Sequence, residues 1–279
     1  IIYMEINNSE KTIKYLLKNF DKIYYFKKKI NNKKEDELKK VFNSILDDIN
    51  NGNNYVNNLI NTDSINIQFS SKKELNENYD NNSTYLSSDI IDYINDNGKK
   101  YISYTCKIFD KLIKIHFMLF TSEDELELDK YDKYVYKMLI WLYICNEYSQ
   151  EKCNFKDLNI YIYLTPLKKV FPDKKNKILD KDNINSAYTY PCNINGEIHI
   201  FREEEWFKVF IHETGHCYGF DAVLHNATSM TEKIKEIFPI KTMNSLCDAY
   251  VETMGRIINA GLFAYNSLKD KKDYDTFYM

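Results

Sequence analysis

The sequence lacks any apolar run long enough to cross a membrane. Its longest apolar stretch, residues 134–145, covers about twelve residues and includes Lys137, whereas a membrane helix needs about 20. The first five residues become polar too early for a secretory signal peptide. We therefore expect a soluble, intracellular protein without a membrane partner.

Arginine is also scarce, and the chain has no excess of positive charge. Arginine occurs only at positions 202 and 256, and the formal net charge is −3. Proteins that bind nucleic acid usually carry a basic surface, so we expect no nucleic-acid partner. The six cysteines include no Cys-x-x-Cys pair. In a chain of this size without a signal peptide, we expect reduced thiols rather than disulfides.

Hydrophobic residues make up 44% of the chain, enough for a substantial core. Apolar residues recur at helical spacing over residues 9–49. The Asn- and Ser-rich stretch 50–82 is typical of loops, with one short strand at 65–69. We therefore predict a helical N-terminal extension with an Asn-rich linker, residues 1–80, followed by the main domain, residues 81–279.

The main domain alternates between strand and helix patterns. Residues 101–109 and 112–120 have the alternation of a hairpin. Further predicted elements are strands at 158–164 and 196–201, and helices at 131–148, 231–238 and 243–267.

A chemical motif follows the strand at 196–201. His212, Glu213 and His216 form His-Glu-x-x-His after an apolar run that predicts a helix. Residues four apart share a helix face, so the two histidines can hold one metal ion between them. Zn²⁺ accepts two imidazoles and leaves room for a third ligand and a water. Glu213 is then placed to take a proton from that water, whose pKa zinc lowers to roughly 7.

With these residues, positions 185–262 resemble the zincin metallopeptidases. The resemblance implies an α+β fold: a small twisted mixed sheet, an active-site helix and a downstream helix that supplies a ligand. It implies a zinc metallopeptidase acting on a peptide or protein, either a metalloendopeptidase or a carboxypeptidase. Glu213 would be the general base and a zinc-bound water the nucleophile. More loosely, the chain resembles His-Glu-x-x-His proteins of large AT-rich DNA viruses, which implies the cytoplasm of a host cell or a virion.

The resemblance leaves the third ligand to be chosen between two branches. In metzincins it follows a glycine matched by Gly219, but that position falls on Ala222, and Asp221 comes one residue early. In gluzincins it lies on a downstream helix, where Asp248 and Glu252 are four apart and share one face. The resemblance assigns zinc to Glu252, and Asp248 would orient a ligating histidine. The two roles can be reversed, and Asp221 stays an alternative ligand.

Residues for the substrate are less specific. We expect an extended peptide to pair with strand 196–201 as an antiparallel edge. An oxyanion could be stabilised by His225, Tyr188 or Tyr190. Arg202 or Arg256 could hold a substrate C-terminus, which would make the protein a carboxypeptidase.

Two other functions fit the same residues. The metal could serve a hydrolase with a non-peptide substrate. Alternatively, a structural or interaction protein could retain zinc for stability alone. Glu213 argues against the second, because a structural site needs no base and usually fills all four positions with protein ligands. We expect Cys217 to be a core residue, and the sequence predicts no oligomeric state.

Overall fold

The structure, a computed structural model, describes residues 32–71, 85–121, 126–149, 153, 155–170, 179–224, 228–237 and 246–278. The helical spacing predicted for residues 9–31 lies outside these ranges, and so does His225. Among the described helices, none combines the length and apolarity that a membrane crossing requires.

Six strands form one mixed, open sheet. They are β1 (Asn66–Ser71), β2 (Lys100–Ile108), β3 (Lys111–Leu119), β4 (Asp157–Thr165), β5 (Ala187–Thr189) and β6 (Asn195–Arg202). The spatial order is β1-β2-β3-β4-β6-β5. β4 pairs in parallel with β3 and β6, and the other junctions are antiparallel. The predicted α+β class is confirmed.

The sheet corrects one prediction about substrate binding. Residues 196–201 were expected to form an edge strand, but β6 lies between β4 and β5. That prediction is wrong because the edge position is taken by β5, whose three residues are too few to give a strand pattern in the sequence. Any peptide added at this side of the sheet must pair with β5.

The helices are α1 (Asn32–Asn61), α2 (Ser88–Asn97), α3 (Leu128–Glu147), α4 (Lys181–Ile184), α5 (Trp206–Cys217), α6 (Thr228–Ile237), α7 (Leu246–Ser267) and α8 (Tyr274–Tyr278). A 3₁₀ turn covers Ala222–Leu224. The strands and helices predicted in the main domain are confirmed, with ends within three residues of those expected. Their apolar spacing is a local property, which the sequence displays directly.

The prediction of loops after residue 50 is wrong for the first part of that stretch, because α1 continues to Asn61. Ile49 and Val56 are fully buried along one side of the helix. Asn53, on α1, accepts a hydrogen bond from the Tyr136 hydroxyl at 2.6 Å. The asparagines therefore belong to an amphipathic helix whose few apolar positions still follow the 3.6-residue period.

The chain divides into two compact units, one formed by Asp48–Lys271 and the other containing the helical residues 32–47 together with residues 272–278. Within the first unit, β1 pairs with β2, where Ile67 lies opposite Tyr104. The boundary expected near residue 80 lies outside the described residues and stays a prediction.

The two faces of the sheet pack against different helices. The isoleucines of β3, β4 and β6 are buried on one face. Phe117, on that face, contacts the ring of Tyr134 on α3, which lies 4.7 Å from Trp206 of α5. The other face carries Tyr101 of β2, the tyrosines of β4 and Tyr188 of β5, which pack with Ile90 of α2. The helix that bears the metal-binding motif is thus held between the aliphatic face and its neighbouring helices.

Two contacts fix the position of α5. The indole N–H of Trp141 on α3 donates to the Thr214 hydroxyl at 2.6 Å, and both side chains are buried. On α5, Gly215 lies so close to α7 that a Cβ there would come 2.8 Å from Met254 Cε and 3.1 Å from Val251 Cγ1. The absence of a side chain at Gly215 therefore sets how closely α5 and α7 approach.

Replacing this glycine tests the close approach. Gly215→Val should lower the free energy of unfolding by about 1–3 kcal/mol, because the added methyl groups overpack the contact with Val251. Chemical denaturation monitored by circular dichroism measures the change. Gly255→Ala on α7 is the matched control, since its Cβ would have no neighbour nearer than 3.5 Å. We expect it to be neutral or mildly stabilising. Equal stability of Gly215→Val and the wild type would contradict the contact.

Candidate metal centre

Three residues separate the end of β6 from the start of the motif helix, α5. Glu205, just before α5, has a left-handed backbone with φ of 57°. Within α5, every residue is buried except Lys208 and His212, which are half-buried and lie one turn apart. The helix is therefore embedded in the protein, and one narrow face of it is open to solvent.

The two motif histidines point at the same place. His212 Nε2 and His216 Nε2 are 3.2 Å apart. Two ligand atoms that each lie about 2.0–2.1 Å from a tetrahedral zinc ion are about 3.3–3.4 Å apart. The spacing of the two imidazoles thus fits a shared metal ion, as the four-residue spacing predicts.

A carboxylate from α7 completes the group. Asp248 Oδ1 lies 3.3 Å from His216 Nε2. One ligand atom from each of His212, His216 and Asp248 lies within 4.8 Å of the others, and no other such group of histidine, cysteine or carboxylate residues occurs among the described residues. Two imidazoles and one carboxylate are a donor set that zinc accepts, with a fourth position left for water.

Glu252, assigned to zinc from the resemblance, lies one turn further along α7 and has other partners. Its carboxylate accepts hydrogen bonds from Lys208 Nζ at 2.9 and 3.1 Å and from Arg256 Nε at 2.9 Å. Burial opposes ionisation of Glu252, but the two cations outweigh it and hold its pKa below the ordinary value. The structure therefore places Asp248, rather than Glu252, next to the Nε2 atoms of His212 and His216. The two carboxylates thus have the reverse of the positions that the resemblance implied.

Each of the two motif histidines has a carboxylate near its Nδ1 atom. His216 Nδ1 is hydrogen-bonded to Asp221 Oδ2 at 2.8 Å, and Asp221 is only 1% exposed. His212 Nδ1 lies 3.4 Å from Glu252 Oε2, a charge contact without hydrogen-bond geometry. The hydrogen bond to Asp221 fixes the orientation of the His216 ring and leaves its Nε2 available to a metal. Asp221 thus has the orienting role expected for Asp248, and it is placed behind His216 rather than among the ligand atoms.

The network behind His212 includes one residue that the sequence analysis did not single out. Lys208 precedes His212 by four residues, and its ammonium group also lies 3.5 Å from Glu205 Oε2. The four-residue spacing on a helix is the signal that indicates a shared face with His212. Lys208 holds the Glu252 carboxylate close to the imidazole.

Glu213 is the predicted base, and its surroundings suit that role. The side chain is buried, with 9% exposure. Burial raises the pKa of its carboxyl to about 7, with His216 lowering it and Asp248 raising it. A general base is most effective when its pKa lies near the working pH. A carboxyl group with such a pKa can both accept and donate a proton near neutral pH.

A cavity of about 160 Å³ opens beside α5, lined by Lys208, Val209, His212 and Glu213. It is also lined by residues 184–187, the segment that enters β5. His212 and Glu213 thus both border a space next to the edge strand. A substrate in this cavity would meet both groups.

The aromatic candidates for oxyanion binding lie elsewhere. Tyr188 is 5% exposed and stacks on His199 at 4.7 Å, within the core beneath α2. Tyr190 is exposed and touches the edge of the Tyr188 ring. Neither is among the residues that line the cavity, and His225 lies outside the described residues. The structure therefore does not bring the two tyrosines to the site.

Both arginines are engaged in structural contacts. Arg202 is 3% exposed. Its guanidinium donates to the main-chain carbonyls of Leu167, Asp182 and Asn185. Arg256 has a largely exposed side chain and pairs with Glu252. Arg202 thus braces the segment that leads into β5, and neither guanidinium is placed as a clamp for a substrate carboxylate.

The expectation of reduced thiols is wrong for two cysteines. Cys153 and Cys192 form a disulfide across 39 positions of sequence, a separation that gives no local signal. Cys217 is fully buried, as expected of a core residue, and is not part of the metal-binding group. Among the described residues, the candidate group therefore consists of two imidazoles and one carboxylate, without a thiol.

What the protein does has to be inferred from the motif residues and their geometry, because the chain matches no protein-family model, no curated protein and no solved structure.

Proposed function

We propose that this protein is a zinc-dependent metalloendopeptidase with a zincin-like active site. The observation that carries the proposal is the convergence of His212 Nε2, His216 Nε2 and Asp248 Oδ1 within 4.8 Å. Glu213 follows His212 directly and borders the adjacent cavity. His212, His216 and Asp248 would hold the ion.

Two features favour catalysis over a purely structural metal site. Three protein ligands are typical of catalytic zinc, whereas structural sites usually have four. Glu213 is buried, and its raised pKa costs the folded protein free energy at neutral pH. A residue kept in such a position is better explained by proton transfer than by packing.

The chain's own residues divide the chemistry between them. When bound, zinc would lower the pKa of a coordinated water and polarise a peptide carbonyl. It would also favour the carboxylate form of Glu213. Glu213 accepts the proton of the attacking water and passes it to the leaving nitrogen. Asp221 keeps the His216 ring oriented with Nε2 towards the metal position, and Glu252 places a negative charge beside His212 Nδ1.

The edge strand β5 supports an extended peptide as the substrate. Ser186 O accepts a hydrogen bond from Phe201 N, on β6, at 2.9 Å. Because main-chain groups of a strand point alternately to the two sides, the N–H and C=O of Ala187 face away from β6. Ala187 also lines the cavity beside His212. A peptide that pairs with this edge would lie across the metal centre.

An internal peptide bond is the preferred target. A carboxypeptidase needs a cation for the terminal carboxylate, but Arg202 is buried against main-chain carbonyls and Arg256 pairs with Glu252. The cavity lysines, Lys169 and Lys208, also have carboxylate partners. The charges around the cavity are thus balanced within the protein.

The first experiment is zinc analysis followed by a peptide screen. Purified protein, stripped of metal and reconstituted, should bind about one zinc ion per chain by mass spectrometry or elemental analysis. A library of peptides with blocked ends should then be cleaved at internal bonds. Zinc binding without any cleavage would favour the structural alternative, and no zinc uptake would contradict the metal centre.

A further inference from the structure

The disulfide lies directly behind the metal-binding helix. Cys153 precedes β4, and Cys192 lies in the turn between β5 and β6. Gly219, in the turn that follows α5, has φ of 71°, and a Cβ there would overlap Cys153 Sγ and come 3.1 Å from Cys192 Sγ. The backbone of this turn thus rests against both sulfur atoms.

The same turn carries the carboxylate that orients His216. Gly219 N donates to His216 O at 3.0 Å, and Phe220 N donates to Gly215 O at 2.9 Å. Asp221 is two residues beyond Gly219 and reaches back to His216 Nδ1 at 2.8 Å. Any displacement of Gly219 is therefore transmitted to Asp221 over a short, hydrogen-bonded segment.

A second contact joins the disulfide segment to this turn. Phe155, two residues after Cys153, packs edge-on against Tyr218 with ring centres 4.8 Å apart. Tyr218 is fully buried. Two successive residues of the turn, Tyr218 and Gly219, are thus supported by the segment that the disulfide anchors.

Reduction would disturb this support for two reasons. Two thiols cannot stay at bonding distance, so the sulfur atoms must separate against the backbone of Gly219. Cys192 has a left-handed backbone with φ of 52°, a conformation that costs free energy for a residue with a side chain. Without the covalent bond, Cys192 is free to relax to an ordinary conformation. Cys192 is also half-buried, so part of this residue is in contact with solvent.

We propose that the Cys153–Cys192 disulfide is a positioning element for Asp221 and makes the metal affinity of the site depend on its oxidation state. This inference rests on the proposed metal centre. A dithiol would reduce the bond by exchange: the S–S bond breaks, two cysteine thiols form, and the dithiol becomes a disulfide. Loss of a carboxylate behind a metal-binding histidine typically weakens metal binding about 10–100-fold. Loosening of Asp221 should therefore weaken zinc binding by about tenfold.

The test uses the full chain and two readouts. A trialkylphosphine reduces the disulfide and becomes the phosphine oxide with oxygen from water, so no added thiol competes for zinc. In metal-free protein, hydrogen exchange of residues 218–224 should become faster after reduction, while exchange in β3 stays unchanged. Zinc affinity, measured by competition with a chelating dye, should fall by about tenfold. Reoxidation should restore both values.

A double variant provides the control. Cys153→Ser with Cys192→Ser should behave like the reduced wild type and should not respond to the phosphine; circular dichroism verifies that it folds. Unchanged exchange, or faster exchange with unchanged zinc affinity, would overturn the positioning role while leaving the metal centre intact. If the oxidised wild type bound no zinc, both the proposed metal centre and the proposed role of the disulfide would be contradicted.

Discussion

Glu213→Gln should reduce peptide hydrolysis by about 10³-fold while zinc binding stays at one ion per chain. The amide has nearly the same shape as the carboxyl but cannot accept the proton of the attacking water. A positioned general base contributes about 10²–10⁴ in rate. Because Glu213 is buried and not among the three ligand residues, its replacement should leave the metal site assembled.

The measurement is kcat with a peptide from the library screen, alongside the zinc content of the same preparation. Glu236→Gln, on the exposed side of α6, is the matched control and should keep full activity. If Glu213→Gln were as active as the control, Glu213 would not be the general base. A parallel loss of zinc would show that the residue supports the metal site rather than proton transfer.

Asp248→Ala should weaken zinc binding by more than 100-fold. Asp221→Asn and Glu252→Gln should have smaller effects, within the range of about 10–100-fold known for groups behind the ligands. Asp248 offers an oxygen next to the imidazoles, whereas Glu252 is drawn towards Lys208. The ranking of the three variants therefore distinguishes a ligand from the groups that orient ligands.

Zinc affinities are obtained by competition with a chelating dye on metal-free protein. The Asp248 side chain is 64% exposed, so its loss should not disturb folding, and an unchanged denaturation midpoint in the absence of zinc verifies this. If Glu252→Gln lost the most affinity, Glu252 would be the third ligand, as the resemblance implied. Loss with Asp221→Asn alone would instead move the third ligand to the turn after α5.

The sequence determined the elements around the motif because their signals are local. The β2–β3 hairpin, α3, β4, β6 and α5 all display apolar periods that need no knowledge of partners. The same reasoning failed for α1 after residue 50, where asparagines obscure a helix with few apolar residues. It also failed for β5, whose three residues form a strand only because β6 lies beside them.

Within the site, spacing by itself placed His212 and His216 on one face, and likewise Asp248 and Glu252. Which carboxylate meets the imidazoles depends on how far α7 is shifted along α5. That shift is set by side-chain volume at the crossing, where Gly215 lets Val251 come close.

The tertiary structure alone decided three further features: the edge position of β5, the pairing of Cys153 with Cys192, and the place of Asp221 behind His216. Each joins residues whose contact depends on the packing of whole elements or on the path of a turn. Local spacing fixes which residues share a face, but the distances between faces follow from close packing of the whole core.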